Sequence, residues 1–443
     1  MATALEQEYR YLAPSSLDAG ALRLATSSAG RDAHPHFFDA PLAHAEQTAV
    51  ALLVIARVAR TRFYVPPGML AAVLRAADPV VTSNGDRLRF ESFSACCGVY
   101  ARLDALPGTL TAPALATGTT NVDVNPPLRE ALTRVGPDDE LHLQVGTDVA
   151  VTTSAGTVVE KKVPLPERWV KGFAEVHVAA SGTTPLLEVD AAEARRFVRS
   201  LPPGSGTRTP VSWAVPAGRG LRLATRPAAG AVCVAGPERL KVLEPALRFA
   251  ATLRAYGPSA DARSGPLPSV WELELADARL VVALSPEVSR GFSGEGGVLT
   301  ALADDATTDD ADLVSALLAY DPRIDLAELA RGAALPEVRV VQALARLGAA
   351  GRVGYDTAEA AWFHRELPYD PATLGAMHPR LRDAQELVAA GLVRIDGDAV
   401  RVTSGEIEHV VRGERCTCPW WGKHRGTRGP CKHVLAAGLV LRG

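Results

Sequence analysis

The sequence predicts an α+β protein of several domains, and three observations predict it. At 443 residues the chain exceeds the roughly 100–200 residues that one hydrophobic core usually organises. Helical stripes and strand-like runs are interspersed without the regular β–α–β order of a parallel sheet. Three of the six cysteines crowd into Cys416–Cys431, far from Cys96, Cys97 and Cys233.

Composition sets the outer limits. With 47% apolar and 22% charged residues the chain can bury sizeable cores. A net charge of −3 gives the whole molecule no pull on polyanions, so any nucleic-acid affinity must come from a local patch. No apolar run reaches the roughly 18 residues of a membrane span; the richest, Ala49–Ala56, runs straight into Arg57, Arg60 and Arg62. The first ten residues lack a basic stretch followed by an apolar one, so the expected location is cytoplasmic, without membrane contact. In that reducing compartment clustered cysteines read as metal ligands. Cys96, Cys97 and Cys233 read as buried free thiols, with a vicinal redox pair at Cys96–Cys97 as the alternative.

The expected divisions are an N-terminal α+β region (1–200), a middle α+β region (211–300), a winged-helix-like module (310–369) and a C-terminal module (380–443). Pro/Gly/Ser-rich Leu201–Pro210 and Tyr256–Pro268, acidic Asp304–Asp312 and proline-rich Leu367–Pro379 mark the breaks. In the first region His44–Arg60 carries a broad apolar stripe and Pro66–Ala77 a shorter one, both helical. Arg87–Phe93, Leu141–Val145, Val149–Thr153 and Thr157–Val163 read as strands. The middle region adds Leu221–Ala224, Ala231–Ala235, Trp271–Leu275 and Leu280–Leu284. Between 310 and 369 the pattern is helical at Leu313–Tyr320. A second helix, Leu326–Arg331, is capped by Asp325 and closed by Gly332. The third starts at Pro336 and stops at Gly348, with Val338, Val341, Leu344 and Ala345 on its apolar face. Gly351–Tyr355 and Ala361–His364 would form a wing, which completes the order of a winged helix-turn-helix. The last segment offers a helix, Leu381–Ala390, stopped by Gly391. A hairpin across Asp396–Asp398 follows, then a strand, Ile407–Val411.

That strand leads into Cys416-x-Cys418, twelve further residues, and Cys431-x-His433. Zinc takes four such ligands in a tetrahedron, and a strand end plus the first turn of a helix can present them. Four protein ligands leave no open position, so one structural Zn2+ is expected and no catalytic residue. Lys423, Arg425, Arg428 and Lys432 flank the thiolates and would stabilise them. His424 is a competing fourth ligand, though the helical position of His433 offers the better geometry.

These residues resemble the SWIM-type zinc finger: C-x-C, a variable loop, then C-x-H, after a β-hairpin and before a helix. The loop here, PWWGKHRGTRGP, ends in the P-C-K-H typical of that family. The resemblance covers about 50 residues of the 443 and implies a small module found in DNA-binding and protein-binding proteins. Bacterial proteins of this type are also associated with AAA-type ATPases and von Willebrand A proteins in conflict systems. The family supplies no catalytic residues.

From Arg412 to Gly443 there are seven Lys/Arg and one acid, Glu414, so a basic patch sits in an otherwise acidic chain. Trp420 and Trp421 adjoin it. Cations neutralise phosphates and indole faces stack on unpaired bases, which makes Trp420, Trp421, Lys423, Arg425, Arg428 and Lys432 the candidate contacts to DNA or RNA. The alternative is that a tryptophan packs the zinc knuckle and the charges solubilise it. Gly118–Asn125 reads as a structural turn, and Lys161, Lys162, Arg168, Trp169 and Lys171 as a solvated face. His34 and His36 lack a third ligand nearby. The expectation is therefore a zinc-binding, non-catalytic binding protein with nucleic acid as first ligand. A protein-protein adaptor is second, and an enzyme with an unrecognised site in residues 1–300 is third.

Overall fold

The computed structural model describes residues 9–10, 16–18, 21–24, 26–27, 38–63, 79–122, 124, 126–145, 161–162, 165–203, 211–303, 307–367, 369 and 377–442. The expected helix Pro66–Ala77, the strand Val149–Thr153, most of Thr157–Val163, and His34 and His36 lie outside them.

The centre is a nine-stranded sheet. Its order is Thr184–Asp190, Thr252–Gly257, Ser269–Leu275, Ala278–Leu284, Val99–Ala105, Leu88–Phe93, Val80–Ser83, Gly118–Val122 and Thr26–Ser27, with every neighbouring pair antiparallel. Strands from both sides of Leu201–Pro210 enter this one sheet, so that break does not separate two sheets. Gly118–Val122, expected as a turn, is a strand paired with Val80–Ser83. Its polar Thr119, Thr120 and Asn121 hid it from hydrophobic periodicity, because cross-strand pairing and not burial of apolar side chains places it.

Strand alternation gives the sheet two unlike faces. On one, Leu88, Phe90, Leu103, Trp271, Leu273 and Leu280 join the largest apolar core. Helix Ala45–Arg60 packs there with the 3-10 helix Pro237–Phe249. On the other, Arg89, Glu91, Arg102, Asp104 and Arg279 are buried charges. The helix Glu167–Ser181 packs beside them through Phe173, whose ring centroid is 5.0 Å from that of Phe93. Trp169, expected on a solvated face, is fully buried against Phe93. The neighbouring cations suggested a solvated surface, but the indole lies on the inward side of this amphipathic helix.

Three helices, Thr308–Leu317, Leu326–Ala333 and Glu337–Ala349, precede a hairpin of Val353–Asp356 and Ala361–His364. Asp325 caps the second helix, accepting the Glu328 backbone N–H at 2.9 Å. Two expected stops fall elsewhere. Gly332 lies inside its helix and Ala334 takes the left-handed turn at φ 53°. Gly348 also lies inside its helix, because a Cβ there would stand 2.9 Å from the Trp362 ring, and Gly351 turns the chain at φ 69°. The glycine serves close packing rather than termination. The apolar face of the third helix is also displaced: Val340, Ala343, Leu344 and Leu347 are buried, whereas Val338 and Val341 are 64% and 43% exposed.

The C-terminal part is a helix, Pro379–Ala389, then a four-stranded antiparallel sheet from Val393 to Cys416, and the helices Pro419–His424 and Lys432–Arg442. Gly391 (φ 69°) and Gly397 (φ 60°) make the two turns that their positions demanded. Among the described residues no helix is long and apolar enough to cross a membrane.

Candidate metal centre

Cys416 closes the last short strand, Cys418 caps the helix Pro419–His424, and Cys431 and His433 bracket the start of the final helix. All four are buried, and one ligand atom from each lies within 4.8 Å of all the others. Tetrahedral zinc with sulfur at about 2.3 Å needs ligand atoms roughly 3.8 Å apart; Cys416 Sγ and His433 Nδ1 are 3.7 Å apart. Backbone N–H groups donate to the sulfurs, Cys418 N to Cys416 Sγ at 3.4 Å and Trp421 N to Cys418 Sγ at 3.3 Å. Such donors stabilise thiolate charge.

The thiols are electrostatically unequal. A hydrogen bond from Cys416 holds Cys431 down to about 4 against the opposing effect of burial, helped by His433. The same bond, then burial, pushes Cys416 up. One thiolate is thus favoured by the protein alone, and a divalent cation would ionise the remainder. His433 presents Nδ1 to the sulfurs, and its ring lies 4.3 Å from that of His409, centroid to centroid. The donor set fits one structural zinc with no open coordination position. His424 is outside the cluster, its ring 4.8 Å from that of Trp420.

The SWIM zinc finger family model matches residues 393–439. The SWIM module therefore begins at the hairpin and ends in the final helix, with the cysteine and histidine cluster closing it. A comparison with curated proteins finds no match. Among solved structures, the proliferating cellular nuclear antigen of Entamoeba histolytica is similar over 57% of this chain and 98% of its own. The identity is 9% and the TM-score 0.31, a likeness too loose to assign the fold.

The SWIM module is joined to the rest of the chain by residues that no motif announced. Arg380 donates to the carbonyls of Arg428 (2.6 Å), Pro430 (3.0 Å) and Glu295 (2.8 Å), and lies 4.9 Å from the Trp420 ring centroid. Gly429 meets Gly296 so closely that a Cβ on it would sit 2.0 Å from the Gly296 carbonyl oxygen. Behind this joint the buried Glu175 accepts the Gly297 N–H at 2.9 Å, and burial pushes its carboxyl up to about 8. These partners are 48 to 133 residues apart in sequence, so only the Gly-Glu-Gly-Gly run at Gly294–Gly297 offered a hint of close backbone approach.

The structure divides the basic patch. Lys423, in the last turn of the short helix, and Arg425, which follows it left-handed at φ 46°, are exposed. Arg428 donates to the Gly294 carbonyl at 3.1 Å, and Lys432 faces Asp383 at 3.9 Å. Trp420 lies against Arg380, while Trp421 lines an open groove of about 380 Å³ with Val434, Gly438 and Leu441.

Proposed function

We propose that this is a non-catalytic binding protein of the cytoplasm whose SWIM module holds one structural zinc and contacts single-stranded nucleic acid. The reading rests on one juxtaposition: Lys423 and Arg425 are exposed on the segment between Trp421 and Gly426, both of which line the groove. The two cations take phosphates and the indole takes an unpaired base. Arg428 and Lys432, turned toward Gly294 and Asp383, serve the joint and not the ligand. Trp420, covered by Arg380, packs the module. Three thiolate ligands also suit a reducing compartment.

Fluorescence titration of the full chain with labelled single- and double-stranded oligonucleotides at several salt concentrations tests this. Each lost phosphate contact should lower the single-strand salt slope by about 0.7, so Lys423→Gln with Arg425→Gln should lower it by about 1.4. Trp421→Ala should weaken single-strand binding by about 1–3 kcal/mol with zinc content unchanged. Trp420→Ala should instead impair stability. If wild-type protein binds neither DNA nor RNA at low salt, the adaptor reading replaces this one.

A further inference from the structure

The third helix of the three-helix and hairpin segment, Glu337–Ala349, has two apolar faces. Its Val340, Ala343, Leu344 and Leu347 are consumed by the local core. Val338, Val341 and Ala345 form a second stripe at i, i+3 and i+7, and Val338 and Val341 are among the most exposed large apolar side chains of the chain. This stripe borders a groove of about 670 Å³, walled by Ile324, Leu326, Val341, Ala345, Tyr355 and Trp362. A neighbouring groove of about 240 Å³ shares Ile324 and Asp325 and continues past Leu317 and Leu329.

The charges around both grooves have one sign. Asp321, Asp325, Glu328 and Glu337 line them against the single cation Arg323, and residues 308–349 hold seven acids to four arginines. Three arginines that could meet phosphates are already engaged. Arg339 pairs with Asp310 at 2.6 Å, Arg346 donates to the carbonyls of Ala301 and Leu302 at 3.1 Å, and Arg352 pairs with Glu366 at 2.6 Å. In the winged-helix order this helix would be the one offered to a DNA groove, and its surface is apolar with an acidic rim.

We propose that this face docks a segment of a partner protein that presents aliphatic or aromatic anchors flanked by lysine or arginine. The anchors fill the groove beside Val341, and the flanking cations meet Asp325, Glu328 and Glu337. A helix laid in a groove by anchors at such spacing is a common recognition mode.

The test uses the full chain and a fluorescein-labelled amphipathic Leu/Lys helical peptide, with a Leu/Glu peptide as control, read by anisotropy. The Leu/Lys peptide should bind and the Leu/Glu peptide should not. Val341→Asp adds a negative charge yet should weaken binding about tenfold, the equivalent of unburying one valine, and Val338→Asp should weaken it too. Asp325→Asn with Glu337→Gln should weaken it while keeping the helix cap. Both valines are exposed, so zinc content and circular dichroism should match wild type. Equal or tighter binding by Val341→Asp would reduce the attraction to surface charge and overturn the proposal. So would displacement of the peptide by a DNA duplex. Concentration-dependent dimerisation abolished by Val341→Asp would assign the face to a second copy of this chain, and would overturn it as well.

Discussion

The SWIM metal centre and the charged face of the nine-stranded sheet both keep polar groups out of water, by opposite means. In the SWIM module four ligands from residues 416–433 converge on one point, where a single divalent ion would offset most of the thiolate charge. On the sheet the charges neutralise each other across the chain. Asp356 of the hairpin meets Arg279 at 2.9 Å, Arg102 at 3.2 Å and Arg89 at 3.5 Å. Glu91 accepts from Arg365 and from the Tyr100 hydroxyl, both at 2.6 Å. Burial would raise both carboxyls, yet the arginines hold Asp356 well below the usual range, and Arg365 with His177 does the same for Glu91. The difference is one of locality. A metal site is built from near neighbours, whereas the ion network fastens the hairpin to strands more than 70 residues away in sequence.

Removing the zinc should have the largest effect. Structural zinc contributes on the order of 10 kcal/mol to its own small module, so chelation or Cys431→Ser should unfold the SWIM module. Limited proteolysis should then cut within 391–442 and also at 292–303. Leu299, Leu302 and the Gly296–Gly429 contact depend on the SWIM module for cover. The nine-stranded sheet should persist, and its loss would contradict the division.

Next in size is Arg365→Met, which leaves Glu91 buried without its cation. Breaking a buried pair from one side costs about 3–5 kcal/mol, measurable by urea unfolding, and adding Glu91→Gln should recover part of it. Equal stability of the single and double variants would show that the pair is not coupled.

The smallest expected effect separates the two regions by pH. Glu175 stays protonated in the native joint up to about 8, whereas the unfolded chain ionises near about 4.3. The native state then holds more protons, so stability falls as pH rises through that window. His177 behaves oppositely. Burial, then Arg365, lowers it to about 4, so its contribution is lost as pH falls from about 6.5 toward that value. Glu175→Gln should therefore raise stability relative to wild type by about 2–3 kcal/mol at pH near 9 and much less below pH near 5. His177→Asn should flatten the acid side of the profile.

Much of the local structure was legible in the residues. His44–Arg60 shows its stripe because a helix buried along one broad face must repeat near 3.6 residues. The observed helix, Ala45–Arg60, starts one residue later. Strands with a wholly apolar face, such as Trp271–Leu275 and Leu280–Leu284, were readable for the same kind of reason. Val99–Ala105 was not, since arginine and aspartate inside a sheet look like surface until their partners are known, although its neighbour Arg87–Phe93, with Arg89 and Glu91 on the same charged face, was read as a strand. The stripe Val338, Val341 and Ala345 was read as core because amphipathicity reports that a face is apolar and not what covers it. Of the four residues expected on one face, Val338, Val341, Leu344 and Ala345, only Leu344 is in the core.

The metal centre, the turns around it and many of the local helices follow from residue order alone. Each depends on residues near one another in sequence, the ligand pairs Cys416–Cys418 and Cys431–His433 being separated by only twelve residues, where spacing largely sets geometry. Long-range contacts set which cations stay exposed, which tryptophan lines the groove, and which helix face is left uncovered. Arg428 and Lys432 differ from Lys423 and Arg425 only through Gly294 and Asp383. Trp420 and Trp421 both pack on the SWIM core, but Trp420 also meets Arg380 and His424 while Trp421 lines the groove. A side chain's availability is set by whatever long-range neighbour reaches it first, and no local spacing records that distance.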